Sequence, residues 1–373
     1  MNGAGMATGY AGTLHIDLGA LIDNYRALGR RVGHAHVAGV VKADAYGLGA
    51  HVVAPALAAA GCRHFFVAML SEALALRPLL DADCDLFVLN GLMPGDEGAC
   101  AAQAIVPVLN SLDQIAGWAG EARRLGRRLP AALHLDSGMS RLGLSPRELD
   151  RIVADDTLIA GIDVRLVMSH FACADEPDNP MNATQLARFA DAARHFPGAL
   201  RSIDNSGGAF MDRPDHGDIV RSGIVLYGAA AQASGVGLSR VVTLESRVVQ
   251  LRDVEAGDSV GYGMTHRFAA PARLATIGVG YADGWPRSLS GRGRVFIGGH
   301  AAPIVGRISM DSMTVDVTGV PEALLKPGAA VELIGPHQSV DAVAAQAGTI
   351  SYEILTRLGA RYERRYTPAA LVP

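Results

Sequence analysis

Short apolar runs alternate with amphipathic stretches from Thr13 to about Gly228, as strands alternate with helices along a folded chain. The apolar runs predict about eight strands, at Val37–Val41, Phe65–Met69, Leu86–Leu89, Ile105–Leu109, Ala132–Leu135, Val164–Ser169, Leu200–Ile203 and Ile224–Leu226. The amphipathic stretches predict helices such as Leu21–Arg30, Ser71–Leu80, Leu112–Leu125, Pro146–Ala154 and Thr184–Ala193. This order is typical of a (β/α)8 barrel. A doubly wound open sheet has the same local pattern, so periodicity alone leaves both folds open.

The pattern changes after Ala229–Gly237, a stretch rich in Ala, Gly and Ser that indicates a linker. Strands dominate from there on, at Val241–Leu251, Ala275–Val279, Val295–Ile297, Pro303–Val305, Thr314–Val317 and Val331–Ile334. Helices are expected only near Val340–Ala347, capped by Ser339, and near Tyr352–Leu358. We therefore predict an α/β chain, with an N-terminal (β/α)8 TIM-type barrel at 12–238 and a C-terminal mostly β domain at 239–373. Residues 1–16 could pack with the second domain.

Charge and hydropathy argue against two classes of partner. The formal net charge is -4, and the one basic cluster, Arg123 to Arg128, has no interleaved aromatic residues and indicates a solvated helix end. Nucleic acid is therefore not an expected partner. No apolar run approaches the roughly 20 residues of a membrane-spanning helix. The segment Met1–Gly9 lacks the charged and apolar regions of a secretory signal, so we expect a cytoplasmic protein without membrane contact.

The cysteine pattern gives no sign of a disulfide framework or a metal site. Cys62, Cys84, Cys100 and Cys173 form no CxxC pair and have no histidine at ligand spacing. We interpret them as reduced thiols, which agrees with a cytoplasmic location, and we predict no metal.

The decapeptide VVKADAYGLG, residues 40–49, places Lys42 at the end of an apolar strand, before a glycine-containing loop. Barrel enzymes carry catalytic groups at this position. Burial there would lower the pKa of the amine and make it a nucleophile toward an aldehyde. Taken alone, however, a lysine at a strand end more often just reaches solvent.

This decapeptide resembles the cofactor-lysine motif of the alanine racemases, and the resemblance extends from about Thr13 to Tyr366. It implies that Lys42 bonds to the aldehyde of pyridoxal 5'-phosphate (PLP).

Further matching segments, at 136–143, 169–171, 205–208 and 221–228, each follow a predicted strand. The resemblance implies that Arg141 reaches the cofactor oxygen and the substrate carboxylate, that His170 lies against the pyridine ring, and that Arg221 meets the pyridine nitrogen. It also implies that Asn205, Ser206, Gly223, Ile224 and Tyr46 help hold the cofactor and its phosphate. Considered singly, His170 would be a core histidine and Arg221 a member of an ion pair.

Three segments of the second half match the same family. In VGYG, residues 260–263, the resemblance implies that Tyr262 is a second catalytic base; without it, a tyrosine between two glycines is most simply a turn residue. Met310, in GRISMD, would hold the substrate carboxylate through its amide. Tyr281 and Arg307 would line the substrate entrance, and Tyr352 would lie near the phosphate and the entrance.

One position departs from the family pattern. Many members carry a lysine, often carbamylated, where this chain has His134. A histidine cannot form that stable carbamate, so a bound anion or a direct contact with His134 would have to position Arg141. We interpret His134 as a supporting residue.

The resemblance implies a PLP-dependent isomerase that interconverts L- and D-alanine with two bases, Lys42 on the D-specific face and Tyr262 on the L-specific face. Tyr262 would come from the partner in a homodimer, and the product would supply D-alanine for peptidoglycan.

One alternative is a fold-related PLP decarboxylase of basic amino acids, which would carry a cysteine near Ser309–Asp311, where none is found. A non-catalytic PLP carrier would need only the barrel. A serine or broad-specificity racemase is a third alternative, because an apolar pocket rejects an added hydroxyl poorly.

Overall fold

The computed structural model of this chain describes residues 9–229 and 237–368. Most of the predicted linker at Ala229–Gly237 therefore lies outside the described residues, as does the start of the segment 1–16. Within the described ranges, no helix combines the length and the apolarity needed to cross a bilayer.

The first large sheet consists of parallel strands, with helices in most of the connections. Its strands are β2 (His36–Val40), β3 (His64–Val67), β4 (Asp85–Val88), β5 (Val106–Leu109), β6 (Leu129–His134), β7 (Ile162–Met168), β8 (Leu200–Ser202) and β9 (Ile219–Ser222). The associated helical segments are α1 (Leu18–Val32), α2 (Lys42–Gly47), α3 (Ala50–Ala59), α4 (Leu70–Leu76), α5 (Glu97–Ala102), α6 (Leu112–Leu125), α7 (Pro146–Ala154) and α8 (Pro180–Ala193).

The strand order is β8-β7-β6-β5-β4-β3-β2-β9, so β8 and β9 are its two end strands. The Asp218 amide donates to the carbonyl of Arg201 over 2.8 Å, which joins the residue before β9 to β8 and brings the two ends together. The sheet thus has the barrel form rather than the open one, and the predicted fold class is confirmed. Strands covered on both faces read as continuous apolar runs, which is why most of them were visible in the sequence.

The predicted strand at Ile224–Leu226 is wrong. The eighth barrel strand lies just before it, at Ile219–Ser222, and residues 224–226 form a turn in which the Leu226 amide donates to the carbonyl of Gly223 over 2.9 Å. The strand contains the buried charged residue Arg221, which breaks the apolar run used to find strands. Residues 224–226 are buried and apolar although they form a turn. A short apolar run does not distinguish a buried turn from a buried strand, so the strand was assigned to the wrong residues.

The second large sheet has the order β13-β16-β15-β14-β17-β10-β1-β18. It contains β1 (Gly12–Asp17), β10 (Val242–Val254), β13 (Ala272–Ile277), β14 (Arg294–Ile297), β15 (His300–Val305), β16 (Met313–Asp316), β17 (Ala330–Ile334) and β18 (Tyr362–Thr367). The pair β11 (Ser259–Val260) and β12 (His266–Arg267) forms a small ribbon, and α9 (Val340–Ala347) and α10 (Ser351–Thr356) complete this half. As predicted, Ser339 caps α9, its side chain accepting from the Ala342 amide over 3.1 Å.

The N-terminal strand β1 belongs to the second sheet, between β10 and β18. It runs antiparallel to β10, with Thr13 opposite Glu245, and parallel to β18, with Thr13 opposite Glu363. Neither β1 nor β18 was expected from the sequence. The division of the chain into domains at about residue 238 stays a prediction.

The segment α2 that follows β2 is a left-handed turn. Ala43, Asp44, Ala45 and Tyr46 all have φ between 52° and 58°, and ψ between 36° and 49°. For residues other than glycine this conformation costs about 1–2 kcal/mol each, so neighbouring contacts must hold it. One of these is the hydrogen bond from the Ala50 amide to the Asp44 carboxylate, 2.7 Å long, which joins the turn to the start of α3.

Candidate active site

A cavity of about 320 Å³ opens at the carboxyl ends of the barrel strands, within the size range of small-molecule sites. It brings together most of the barrel residues that the sequence analysis singled out. The lining includes Lys42, Tyr46, Arg141, His170, Asn205, Ser206, Arg221, Gly223 and Tyr352. Asn90, His134 and Leu142 also line it.

Lys42 begins the left-handed turn directly after the buried residue Val41. Burial lowers the pKa of its amine, and the positive charges of Arg141 and Arg221 lower it further, while Glu72 opposes them. A larger fraction of the amine is therefore uncharged near neutral pH than for an exposed lysine. The uncharged amine is the form that attacks a carbonyl carbon.

Arg221 lies on β9 and is almost fully buried. Its Nη1 donates to the Ser202 carbonyl over 2.9 Å, and its Nη2 donates to the Ser169 carbonyl over 2.6 Å and to Nδ1 of His170 over 3.2 Å. Burial lowers the pKa of the guanidinium to about 10, so it stays charged at neutral pH. Within the described residues Nε makes no hydrogen bond, which leaves this donor for a group bound in the cavity.

His170 follows β7 and is neutral in this setting. Burial, together with the positive charges of Arg221 and Arg141, lowers its pKa well below the ordinary value. Its Nδ1 lies 3.2 Å from Nη2 of Arg221, and its Nε2 lies 3.3 Å from the side-chain amide nitrogen of Asn205. An uncharged ring is suited to lie against a flat, electron-poor ligand.

Arg141 is carried by a loop that one carboxylate shapes. Oδ1 of Asp136 accepts hydrogen bonds from the amides of Gly138, Met139 and Ser140, over 2.9, 3.0 and 3.2 Å. These bonds fold residues 136–140 tightly against the end of β6. Arg141 emerges from this loop at the mouth of the cavity, where it is exposed.

His134, at the end of β6, is held by Asn110, which the sequence analysis missed. The Asn110 amide nitrogen donates to the carbonyls of Leu89 and Val108, so its oxygen accepts from Nδ1 of His134 over 2.8 Å. The ring therefore carries its proton on Nδ1 and has a lone pair at Nε2. Burial, and then the charge of Arg221, lower its pKa to about 4. The available signal for Asn110 was its position directly after a predicted strand.

We expect His134 to make the protein less stable in acid. Its pKa is about 4 in the folded chain and about 6.5 when unfolded, so between these values only the unfolded chain binds the proton. The free energy of unfolding should fall by about 3 kcal/mol from this group as the pH drops through that range. Urea denaturation of the parent and of His134→Gln across this range measures the contribution, and the variant should lose correspondingly less stability.

The matched control is His300→Gln, at an exposed position of β15. This variant should keep the acid sensitivity of the parent. If His134→Gln and the parent lose the same stability on acidification, His134 is not the buried neutral group described here.

Three predicted site residues of the second half stay outside this cavity within one chain. Tyr262, Met310 and Tyr281 are exposed, with accessible fractions of 69%, 53% and 42%. Tyr262 stands between Gly261 and Gly263, whose φ values of 73° and 72° make the turn that displays it. Ile224 also does not line the cavity; it is buried directly behind Gly223.

Arg361, another residue missed from sequence, joins the loops of Tyr281 and Met310. Its Nε donates to the buried Asp283 over 2.6 Å, and its Nη1 donates to Asp311 over 2.7 Å. The Ala282 amide also donates to the Met310 carbonyl over 2.9 Å. The two loops therefore form one continuous surface. Arg361 is distant from both loops in sequence, so no local pattern could have identified its role.

Two family models match the chain over nearly its whole length. Residues 16–231 match the model "Alanine racemase, N-terminal domain", and residues 241–366 match "Alanine racemase, C-terminal domain". Among curated proteins, the chain is 52% identical over 368 residues to "Alanine racemase, catabolic" of Agrobacterium fabrum, covering 98% of this chain and 95% of that protein. It is 51% identical over 369 residues to "Alanine racemase" of Brucella abortus, covering 95% and 93%.

Solved structures of alanine racemases are also similar to this chain. The alanine racemase from Bartonella henselae, solved with covalently bound pyridoxal phosphate, superposes with a TM-score of 0.92 at 42% identity, covering 95% of this chain and 99% of that one. The biosynthetic alanine racemase from Pseudomonas aeruginosa has a TM-score of 0.88 at 36% identity, with coverage of 95% and 99%.

Proposed function

This chain belongs to the alanine racemase family, and we propose that it interconverts L-alanine and D-alanine. It is a PLP-dependent isomerase. The observation that carries the proposal is the half-buried Lys42, an amine of lowered pKa that shares one cavity with Arg221, His170 and Ser206.

The residues of the cavity fit PLP. A Cβ atom at Gly223 would lie 2.2 Å from the Tyr46 hydroxyl, so only glycine leaves this corner open beside that hydroxyl. The corner also contains the Ser206 hydroxyl, which accepts from the Gly223 amide over 3.0 Å. The Ile224 amide follows Gly223 directly in the chain. These donors, with Asn205 and Tyr352 at the rim, would hold a phosphate.

The remaining groups of the cavity match the rest of the cofactor. The Lys42 amine would take the aldehyde, and His170 would lie against the ring. The Nε of Arg221 would donate to the pyridine nitrogen, which leaves that nitrogen unprotonated, because a guanidinium cannot give up its proton at ordinary pH. When bound, PLP supplies an electron-accepting π-system that makes the substrate α-proton removable.

The chain's own residues would then orient the substrate and move the proton. Arg141 and the Met310 amide would hold the carboxylate, which fixes the α-carbon between two proton carriers. Inversion needs one carrier on each side of that carbon. Lys42 Nζ would exchange the proton on the D-specific side and Tyr262 Oη on the L-specific side.

We propose a homodimer in which each cavity receives Tyr262, Met310 and Tyr281 from the partner. Their exposure supports this, since Tyr262, Met264 and Met310 present large apolar groups to solvent in one chain. Sedimentation at micromolar concentration tests it, and an active monomer would contradict it.

Incubation with L-alanine tests the reaction itself. We expect the circular dichroism of the alanine to decay to zero without release of carbon dioxide, because L- and D-alanine are equally stable. Carbon dioxide release would instead indicate a decarboxylase. Comparing L-serine with L-alanine at equal concentration tests the alternative of a broad-specificity racemase.

We further propose that the enzyme acts in the cytoplasm and supplies D-alanine for peptidoglycan. The free cysteines Cys62, Cys84, Cys100 and Cys173 support the reducing location. Expression in a bacterial strain that requires D-alanine tests the supply role, and failure to restore growth would count against it. The name of the Agrobacterium relative makes alanine breakdown the competing role.

A further inference from the structure

The side chain of Glu72 connects the start of α4 to the turn that begins at Lys42. Oε1 accepts the Ala43 amide over 2.6 Å, and Oε2 accepts the amides of Ala68 and Met69 over 2.8 and 3.0 Å. One carboxylate thus binds three backbone donors from two neighbouring βα connections of the barrel. Glu72 does not line the cavity and has no place in the proposed reaction.

The hydrogen bond from the Ala43 amide to Glu72 stabilises the backbone at the start of the left-handed turn. Ala43 is the first of the four left-handed residues, and it follows Lys42 directly. A left-handed turn of residues other than glycine is unfavourable by itself, so the direction in which Lys42 leaves β2 depends on its anchors. Asp44 anchors the far side of the turn at the Ala50 amide, and Glu72 anchors the near side.

Glu72 also balances the charges around the Lys42 amine. The cations that act on this amine are Arg141 and Arg221, both at the cavity. His134 and His170 line the same cavity but are neutral near pH 7. Of the charged groups that act on the amine within the described residues, Glu72 is the acid, and it raises the pKa that burial and the arginines lower.

We propose that Glu72 is a positioning residue for Lys42, which holds the backbone next to the lysine and places a negative charge beside a cationic cavity. The proposal rests on the proposed function only in that Lys42 is the reactive amine. Its test does not require racemase activity.

The decisive variant is Glu72→Gln, which keeps the shape of the side chain but removes the charge and turns one acceptor into a donor. The chain contains only two lysines, Lys42 and the exposed Lys326, so labelling of lysine can be followed at each site. Full-length protein freed of PLP is labelled with acetic anhydride across a pH series, and the two peptides are quantified by mass spectrometry. We expect the labelling midpoint of Lys42 to move to lower pH and that of Lys326 to stay.

Hydrogen exchange reports on the backbone. In Glu72→Gln the Ala43 amide should exchange faster than in the parent, because its acceptor is lost or must be shared. When Glu72→Gln is assayed with cofactor and alanine, kcat should fall about tenfold while KM changes little. The Lys42 amine would be displaced from its reactive position, but the substrate contacts would remain.

The matched control is Glu148→Gln. Glu148 holds the start of α7 in the same way, accepting the Ser145 amide over 2.9 Å, but is not among the charged groups that act on the Lys42 amine. It should change neither the Lys42 midpoint nor the Ala43 exchange. Glu72→Asp keeps the charge on a shorter arm, so it should speed Ala43 exchange with a smaller change of the midpoint.

An unchanged Lys42 midpoint, or an unchanged Ala43 exchange rate, in Glu72→Gln would overturn the proposal. Failure of the proposed function is recognised separately. In that case the parent itself would not racemise alanine, whatever the labelling shows.

Discussion

Replacing Tyr262 with phenylalanine should slow racemisation about a thousandfold in both directions, while exchange of the α-proton of D-alanine with solvent persists. The substitution removes only the hydroxyl that would exchange protons on the L-specific side, and general acid–base groups contribute about 10²–10⁴-fold. Lys42 still reaches the D-specific side. The measurement follows deuterium incorporation into D-alanine and L-alanine separately, alongside the loss of optical activity.

Tyr10→Phe is the control, since Tyr10 is also exposed but belongs to neither the cavity nor the loops of Tyr281 and Met310. It should racemise alanine like the parent. Full-speed inversion by Tyr262→Phe in both directions would show that its hydroxyl is not the second proton carrier.

Replacing Lys42 with alanine should have the largest effect, a loss of activity of at least about ten-thousandfold. The amine has two proposed tasks, covalent attachment of the cofactor and proton exchange, and residues that act as nucleophile and base are the least replaceable. Borohydride should fix PLP onto the parent at the Lys42 peptide and leave the variant unlabelled. Lys326→Ala should behave like the parent, because Lys326 is exposed and does not line the cavity. Labelling of Lys326 in place of Lys42 would contradict the assignment.

Combining the two variants tests whether the active site is shared between subunits. If Tyr262 comes from the partner, a mixed dimer of Lys42→Ala and Tyr262→Phe subunits has one intact site and one doubly damaged site. After random exchange of equal amounts, about a quarter of the parental activity should return. If both residues of a site came from the same chain, mixing would restore nothing.

Much of the barrel could be predicted because parallel strands buried on both faces leave continuous apolar runs in the sequence. The same rule failed at the eighth strand, where the buried Arg221 interrupts the run and the following turn is apolar. The strands β1 (GTLHID) and β18 (YERRYT) escaped notice because neither contains a continuous apolar run, and they pair with each other over a long sequence separation. Nothing within either segment points to its partner.

The proposed cofactor residues could be selected from the sequence because they follow predicted strands, and the carboxyl ends of barrel strands converge. The residues that support them could not. Glu72 reaches Ala43 across 29 positions, Asn110 reaches His134 across 24, and Arg361 reaches Asp283 across 78. In each case the interaction depends on packing between separate elements, so single residue types carry no signal for it.

The position of β1 between β10 and β18 has a consequence for biosynthesis. A ribosome makes β1 before its antiparallel neighbour β10, which lies more than two hundred residues later in the chain, and before its parallel neighbour β18, which lies later still. The barrel can collapse while the nascent chain is still growing, whereas β1 must wait with unpaired edges. The second sheet can therefore be completed only after β18 has been made, and a circular permutant joining β18 to β1 would shorten that wait.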